Sequence, residues 1–188
     1  GENYCLSLKD GRRRKARAVV IATGAQYSRL PIENLERFEG RGIYYGATPM
    51  EAQLCGGQDV CIVGAGNSAG QGAVFLSQAA RNVHVLFRRP NVRDTMSEYL
   101  VRRLEETPNI HLHPETEIDT LHGTGSEDTL HDRLTRLSFR HRTTKDVSEH
   151  DIVFVFLFIG AQPFTDWLPQ HMSCDEKGFV KTGPDLSN

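Results

Sequence analysis

The sequence predicts an α/β fold: a Rossmann-like βαβ domain with an antiparallel β excursion. Three observations carry that expectation. Val60-Cys61-Ile62-Val63 is a short apolar strand that runs straight into Gly64-Ala65-Gly66-Asn67-Ser68-Ala69-Gly70. Strand and helix patterns then alternate as far as His113. Beyond it the chain reads as sheet, without helical periodicity.

Taken in order, Tyr4-Cys5-Leu6-Ser7-Leu8 alternates, Lys9-Asp10-Gly11-Arg12 supplies a turn, and Ala16 to Ala22 is largely apolar. This predicts a β-hairpin whose second strand continues into Val19-Val20-Ile21. The basic run Arg12-Arg13-Arg14-Lys15-Arg17 reads as a solvated hairpin tip. A loop with Pro31 follows Ala22-Thr23-Gly24, then Leu35 to Gly42, punctuated by Gly40 and Gly42. After the glycine-rich turn, Gln71 to Ala80 keeps helical register, and Val83 to Phe87 is a second strand that Arg88-Arg89-Pro90 ends. Met96, Leu100 and Leu104 fall at i, i+4 and i+8 and predict a helix over about Thr95 to Glu106. Asn109 to His113 is a third strand. Thr116 to Leu121, Leu134 to His141 and Glu149 to Phe158 read as further sheet, with Gly123 to Asp132 a polar tip.

Composition narrows the function classes. The 188 residues are 38% hydrophobic, and the 17 glycines bring the apolar share to the ordinary globular value. With 22 basic against 24 acidic residues, the net charge of −2 gives no global field for nucleic acid or an anionic membrane, so neither partner is expected. Cys5, Cys55, Cys61 and Cys174 form no Cys-x-x-Cys pair and read as reduced thiols of a cytoplasmic protein. The longest apolar run, Ile152 to Ile159, is far short of a membrane span, and the opening residues lack the pattern of a signal peptide. The missing initiator Met reads as a processed or excised chain.

The chemistry concentrates in two places. In Gly64-x-Gly66-x-x-Ala69, Gly64 permits a tight turn and Gly66 lets the backbone approach a pyrophosphate. Ala69 keeps helix and strand close, while the N–H groups of the helix start, Ala65 through Asn67 and Ser68, face an anion. The second strand then ends in Arg88 and Arg89, with Arg93 a turn later and no acid before Asp94. An NAD site would place a carboxylate there for the ribose 2′-OH. Guanidinium groups instead grip a 2′-phosphate, so the expected dinucleotide is NADPH. His111 and His113 share a strand face but have no acid or thiol beside them at ligand spacing, so no metal is expected. No nucleophile elbow or Walker loop is present.

These motifs carry a family resemblance. Ala22-Thr23-Gly24, Phe38-Glu39-Gly40-Arg41-Gly42-Ile43-Tyr44-Tyr45, Gly64-Ala65-Gly66-Asn67-Ser68-Ala69 and Arg88-Arg89-x-x-x-Arg93 resemble the low-molecular-weight bacterial thioredoxin reductases in order and spacing. So do Ile159-Gly160-Ala161-Gln162-Pro163 and Gly178-Phe179-Val180-Lys181-Thr182. The resemblance implies an NADPH domain inserted into an FAD domain, with 1–33 and 161–188 as partial FAD-domain segments and 34–160 as the NADPH domain. It adds Ile159 and Gly160 to the cofactor-binding residues. The family's own amino-terminal FAD loop and carboxy-terminal flavin contact are absent from this sequence, so the chain is expected to bind NADPH but not to hold FAD tightly or act alone.

One departure matters most. Where the family places Cys-Ala-Thr-Cys, this chain has Gly46-Ala47-Thr48-Pro49, and disulfide chemistry needs two thiols. Cys55, without a partner nearby in sequence, reads as a buried small hydrophobe. Phe87 stands where the family usually has His. The resemblance therefore implies hydride transfer from NADPH to FAD, with a terminal acceptor other than thioredoxin. A ferredoxin, a quinone, oxygen or a partner domain all fit, and the parent is expected to pair as a dimer through FAD domains. The alternative from another class is an NADPH-binding sensor or scaffold without catalysis of its own.

Overall fold

Strand pairing in the computed structural model, which describes residues 4–22, 24–125, 132–169 and 172–186, separates two compact units. The first comprises 1–26 and 161–188, the second 27–160. Residues 27–33, grouped with the first domain by resemblance, fall in the second unit. There the Ser28 N–H donates to the Gly160 carbonyl (3.0 Å) and Arg29 pairs with Glu36 and Glu39.

In the first unit, β1 (Tyr4–Ser7) and β2 (Arg13–Ala16) form the antiparallel hairpin expected around Asp10-Gly11, with Gly11 at φ +83°. The second strand does not continue through Val19–Ile21. No segment among the described residues lies alongside to take its hydrogen bonds, and Val20 is 89% exposed. Thr23 lies outside the described residues. The third strand, β3 (Ala25–Tyr27), leads into the second unit.

The second unit begins with α1 (Leu35–Phe38), β4 (Ile43–Tyr44) and α2 (Pro49–Leu54). The sequence reading had no helix at α2. Its signal is a capping box: Thr48 and Glu51 bond each other's backbone N–H groups, and Pro49 takes the first helical position. There follow β5 (Asp59–Val63), α3 (Asn67–Leu76), β6 (Asn82–Leu86), α4 (Glu98–Glu106) and β7 (Ile110–His113). The excursion is β8 (Thr116–Gly123), β9 (Leu134–His141) and β10 (Val147–His150), before β11 (Phe154–Leu157). Of the polar tip between β8 and β9, residues 126–131 lie outside the described residues.

The expected helix and strand limits shift for local reasons. α3 starts at Asn67 rather than Gln71, and ends at Leu76, where Ala79 and Ala80 N–H groups fold back on the Leu76 carbonyl. α4 starts at Glu98 because Ser97, its N-cap, is in extended backbone (φ −62°, ψ 141°). The apolar stretch from Glu149 splits at 151–153, where the chain leaves one sheet for the other.

Five strands form a parallel sheet in the order β4-β11-β5-β6-β7, and β10-β9-β8 form an antiparallel one. Alternation along β5 shows how the layers assemble. Val60 and Ile62 join a core with Ala69, Ala73 and Leu76 of α3 and Leu100, Val101 and Leu104 of α4. Cys61 and Val63 point the other way, into a core with Ile118, Leu121, Leu137 and Phe139 of the antiparallel sheet. The parallel sheet is thus covered by helices on one face and by strands on the other. The chain then returns to the first unit through β12 (Ala161–Pro163), paired with β3.

Candidate functional site

The site grows from the carboxyl ends of three neighbouring strands. Val63 of β5 is in register with Leu86 of β6 on one side and Leu157 of β11 on the other. The strand order departs in opposite directions from β5, and a crevice at such a switch point is where open α/β sheets bind ligands. Two hydrogen bonds hold the three chain segments after these ends together: Gly64 N–H to the Leu86 carbonyl (3.0 Å) and Phe158 N–H to the Val63 carbonyl (2.8 Å). Gly64 to Ala69, Arg88-Arg89 and Ile159-Gly160 are therefore adjacent, although some 25 to 95 residues separate them in sequence.

Within the glycine turn each residue has a distinct task. Gly64 sits at φ +151°, and a Cβ on it would lie 2.5 Å from the Phe158 carbonyl oxygen and 3.1 Å from the Ala69 Cβ. Gly66 is the N-cap of α3, with ordinary φ of −89° and no side-chain cap. Among the described residues nothing lies within 4 Å of the Cβ it lacks, so the space beside its backbone is open. The first intrahelical bond runs from the Gly70 N–H to the Gly66 carbonyl, leaving the N–H groups of Asn67, Ser68 and Ala69 ahead of it. The Asn67 side chain caps Ser97, and Thr95 Oγ1 donates to the Ala65 carbonyl (2.8 Å), so the turn is braced from the α4 side. Gly70 lets Met96 approach: its Sδ would be 2.7 Å from a Cβ there.

The arginines divide. Arg88 and Arg89 are exposed and, among the described residues, make no ion pair. Their carbonyls are fixed instead, by Arg142 Nη1 (3.1 Å) and by the Glu115 N–H (3.1 Å). Arg93 lies within a short 3₁₀ turn, Val92–Asp94, and makes a bidentate pair with Glu105 of α4 (2.9 Å each) and a contact with Glu98 (3.4 Å). Its guanidinium is already engaged.

Arg88 and Ile159 also line a cavity of about 800 Å³ with Arg29, Ile118, His122 and Arg140. That size suits a small ligand. The sequence reading missed these further residues, since packing of β8 and β9 beside the 28–34 segment brings them together. The available signal was cross-strand charge: Arg140 pairs with Asp119, and Arg142 lies 3.6 Å from Glu117.

The residues at the dithiol position of the resembled family take a structural role. Thr48 caps α2, and Cys55 ends it fully buried, its thiol donating to the Ala52 carbonyl (3.6 Å). Burial pushes the Cys55 thiol above its ordinary pKa, which disfavours the thiolate. Cys61, also fully buried, is shifted the same way.

Compared with known proteins, residues 2–187 match the family described as Pyridine nucleotide-disulphide oxidoreductase. The chain belongs to that family. It is similar to the thioredoxin reductase of Streptomyces clavuligerus, at 29% identity over 167 residues, covering 89% of this chain and 49% of the relative. It is 27% identical over 172 residues to a 34.2 kDa protein in the rubredoxin operon of Clostridium pasteurianum, covering 92% and 53%. The crystal structure of thioredoxin reductase from Streptococcus pyogenes superposes with a TM-score of 0.75 at 25% identity, covering 98% of this chain and 57% of that one. The chain spans about half the length of these relatives.

Membership of the pyridine nucleotide-disulphide oxidoreductase family, on the thioredoxin reductase-like branch, accounts for the Rossmann-type sheet. Among the described residues no helix is long and apolar enough to cross a membrane.

Proposed function

We propose that this chain is the NADPH-binding part of an FAD-dependent, thioredoxin reductase-like oxidoreductase whose terminal acceptor is not reached through a dithiol in this chain. The observation that carries the reading is the open space at Gly66 and, following the neighbouring strand end, two arginines that make no ion pair among the described residues. When bound, NADPH would supply a hydride. The residues present fit the nucleotide. Gly66 leaves room for a pyrophosphate to approach the backbone, and the N–H groups of Asn67, Ser68 and Ala69 donate to it with the favourable end of the α3 dipole behind them. Arg88 and Arg89 bind the 2′-phosphate, and Ile159-Gly160 closes the neighbouring strand end. Arg93 joins only by leaving Glu105.

No side chain here needs to move a proton for hydride transfer, so the residues orient and bind. Gly46-Ala47-Thr48-Pro49 carries no thiol, and Cys55 and Cys61 are buried, so a ferredoxin, a quinone or a partner domain fits the acceptor role better than thioredoxin.

The test is calorimetric titration with NADPH and NADH. NADPH should bind at least tenfold more tightly, about 1.4 kcal/mol. Arg88→Ala with Arg89→Ala should erase the preference while leaving NADH nearly unchanged. Equal weakening of both nucleotides would overturn the 2′-phosphate assignment, and absence of binding by either would favour a scaffold role.

A further inference from the structure

Four histidines that are scattered in sequence meet on one face of the parallel sheet. His84 of β6 is in register with His111 of β7, and His113 lies two residues further along β7 on the same face. His84 Nδ1 is 3.0 Å from His113 Nε2. The antiparallel sheet brings two more rings to the seam. Phe139 of β9 meets His84 edge-on at 6.0 Å and His113 at 5.4 Å, while His150 of β10 stacks on Phe139 at 3.9 Å and lies 5.9 Å from His84.

The charged surroundings are sparse. Asp59 of β5 is the carboxylate that favours a charge on His84, but its oxygens are already taken by Arg81 and Asn82. His111 bonds Asn82 Oδ1 (3.1 Å), and His150 bonds Ser148 Oγ (2.9 Å). These neutral partners leave imidazoles mainly facing one another. Among the described residues no three metal-ligating groups converge on one point.

A 3.0 Å contact between two ring nitrogens requires one donor and one acceptor. Full protonation of both rings puts two N–H groups head to head and two positive charges within the half-buried seam. We propose that this imidazole cluster is an acid-sensitive latch: neutral, it holds the β8–β10 sheet against the parallel sheet, and protonation releases it. Half-buried, and flanked by other imidazoles, His113 is held at about 4, and His84 and His150 are also lowered. The sign follows. A histidine with a depressed folded-state pKa contributes fully above its unfolded value near 6.5, and the contribution falls as pH drops toward 4.

The experiment is urea unfolding of the whole chain from pH 7.5 to 5, with hydrogen exchange of Phe139 and Val147–His150 amides read alongside and corrected for intrinsic rate. The unfolding constant should rise about 25-fold over this range, from a histidine held near 4 against 6.5 in the unfolded chain. Exchange in β9 and β10 should rise before that in β5 and β6. His113→Gln, neutral at every pH, should cut the rise at least threefold. An equal rise in the variant, or exchange that rises uniformly, would overturn the latch. Should His113→Gln fail to fold, NMR titration of the four wild-type imidazoles decides: ordinary values near 6.5 for all four would overturn it.

Discussion

Replacing Gly64 and Gly66 separately with Ala should give opposite phenotypes, although the two glycines lie two residues apart in one turn. At Gly64 the backbone has φ +151°, a region an L side chain rarely adopts, and holding it there costs about 1–3 kcal/mol. The new Cβ would also lie 2.5 Å from the Phe158 carbonyl oxygen, and Phe158 cannot retreat freely because its N–H is bonded to Val63. Overpacking of this kind adds about 1–3 kcal/mol, so Gly64→Ala should lose about 2–6 kcal/mol in urea unfolding. At Gly66 φ is −89° and nothing among the described residues lies within 4 Å of an added Cβ, so Ala costs only the poorer N-cap, under about 1 kcal/mol. Its methyl would nevertheless occupy the space through which a pyrophosphate reaches the helix start. NADPH affinity of Gly66→Ala should fall at least tenfold while the protein stays folded. Unchanged affinity in Gly66→Ala, or equal stability losses in the two variants, would refute the division of labour.

Further predictions concern the scaffold. Leu137, fully buried between the two sheets, should cost about 2–5 kcal/mol when cut to Ala, read by chemical denaturation. Asp59 is held down to about 2 by bonds from Arg81 and Asn82 against the effect of burial. Its contribution is full above its unfolded value near 4 and is lost as pH falls toward 2. Because Arg81 is largely exposed, Asp59→Asn should cost only about 1 kcal/mol at pH 7 and flatten the acid limb of a stability–pH curve. With a thiol reagent, exposed Cys5 and half-buried Cys174 should react in the native protein, and Cys55 and Cys61 only after unfolding. Rapid labelling of Cys55 would contradict its burial.

Local pattern made the βαβ unit and its glycine turn legible in the sequence. A strand reads as apolar, a tight turn needs glycine, and a helix start needs free N–H groups, all within the window from Asp59 to Leu76. The hairpin at Asp10-Gly11 was legible for the same reason. What failed was whatever depended on a neighbour. Val19–Ile21 has the composition of a strand but no partner among the described residues. The Arg93 side chain matched a phosphate clamp by spacing, yet Glu98 and Glu105 of α4 hold it.

The sequence alone determined the fold class, the glycine turn after β5 and the absence of a Cys-x-x-Cys pair, because each is written in consecutive residues. Tertiary structure decided which residues meet. Parallel pairing set β5, β6 and β11 side by side and so assembled Gly64 to Ala69, Arg88, Arg89, Ile159 and Gly160 at one sheet end. Packing of the antiparallel sheet gathered His84, His113, Phe139 and His150 into one seam. Local propensity carries no record of such meetings; long-range strand register does, and it forms only when the whole core packs.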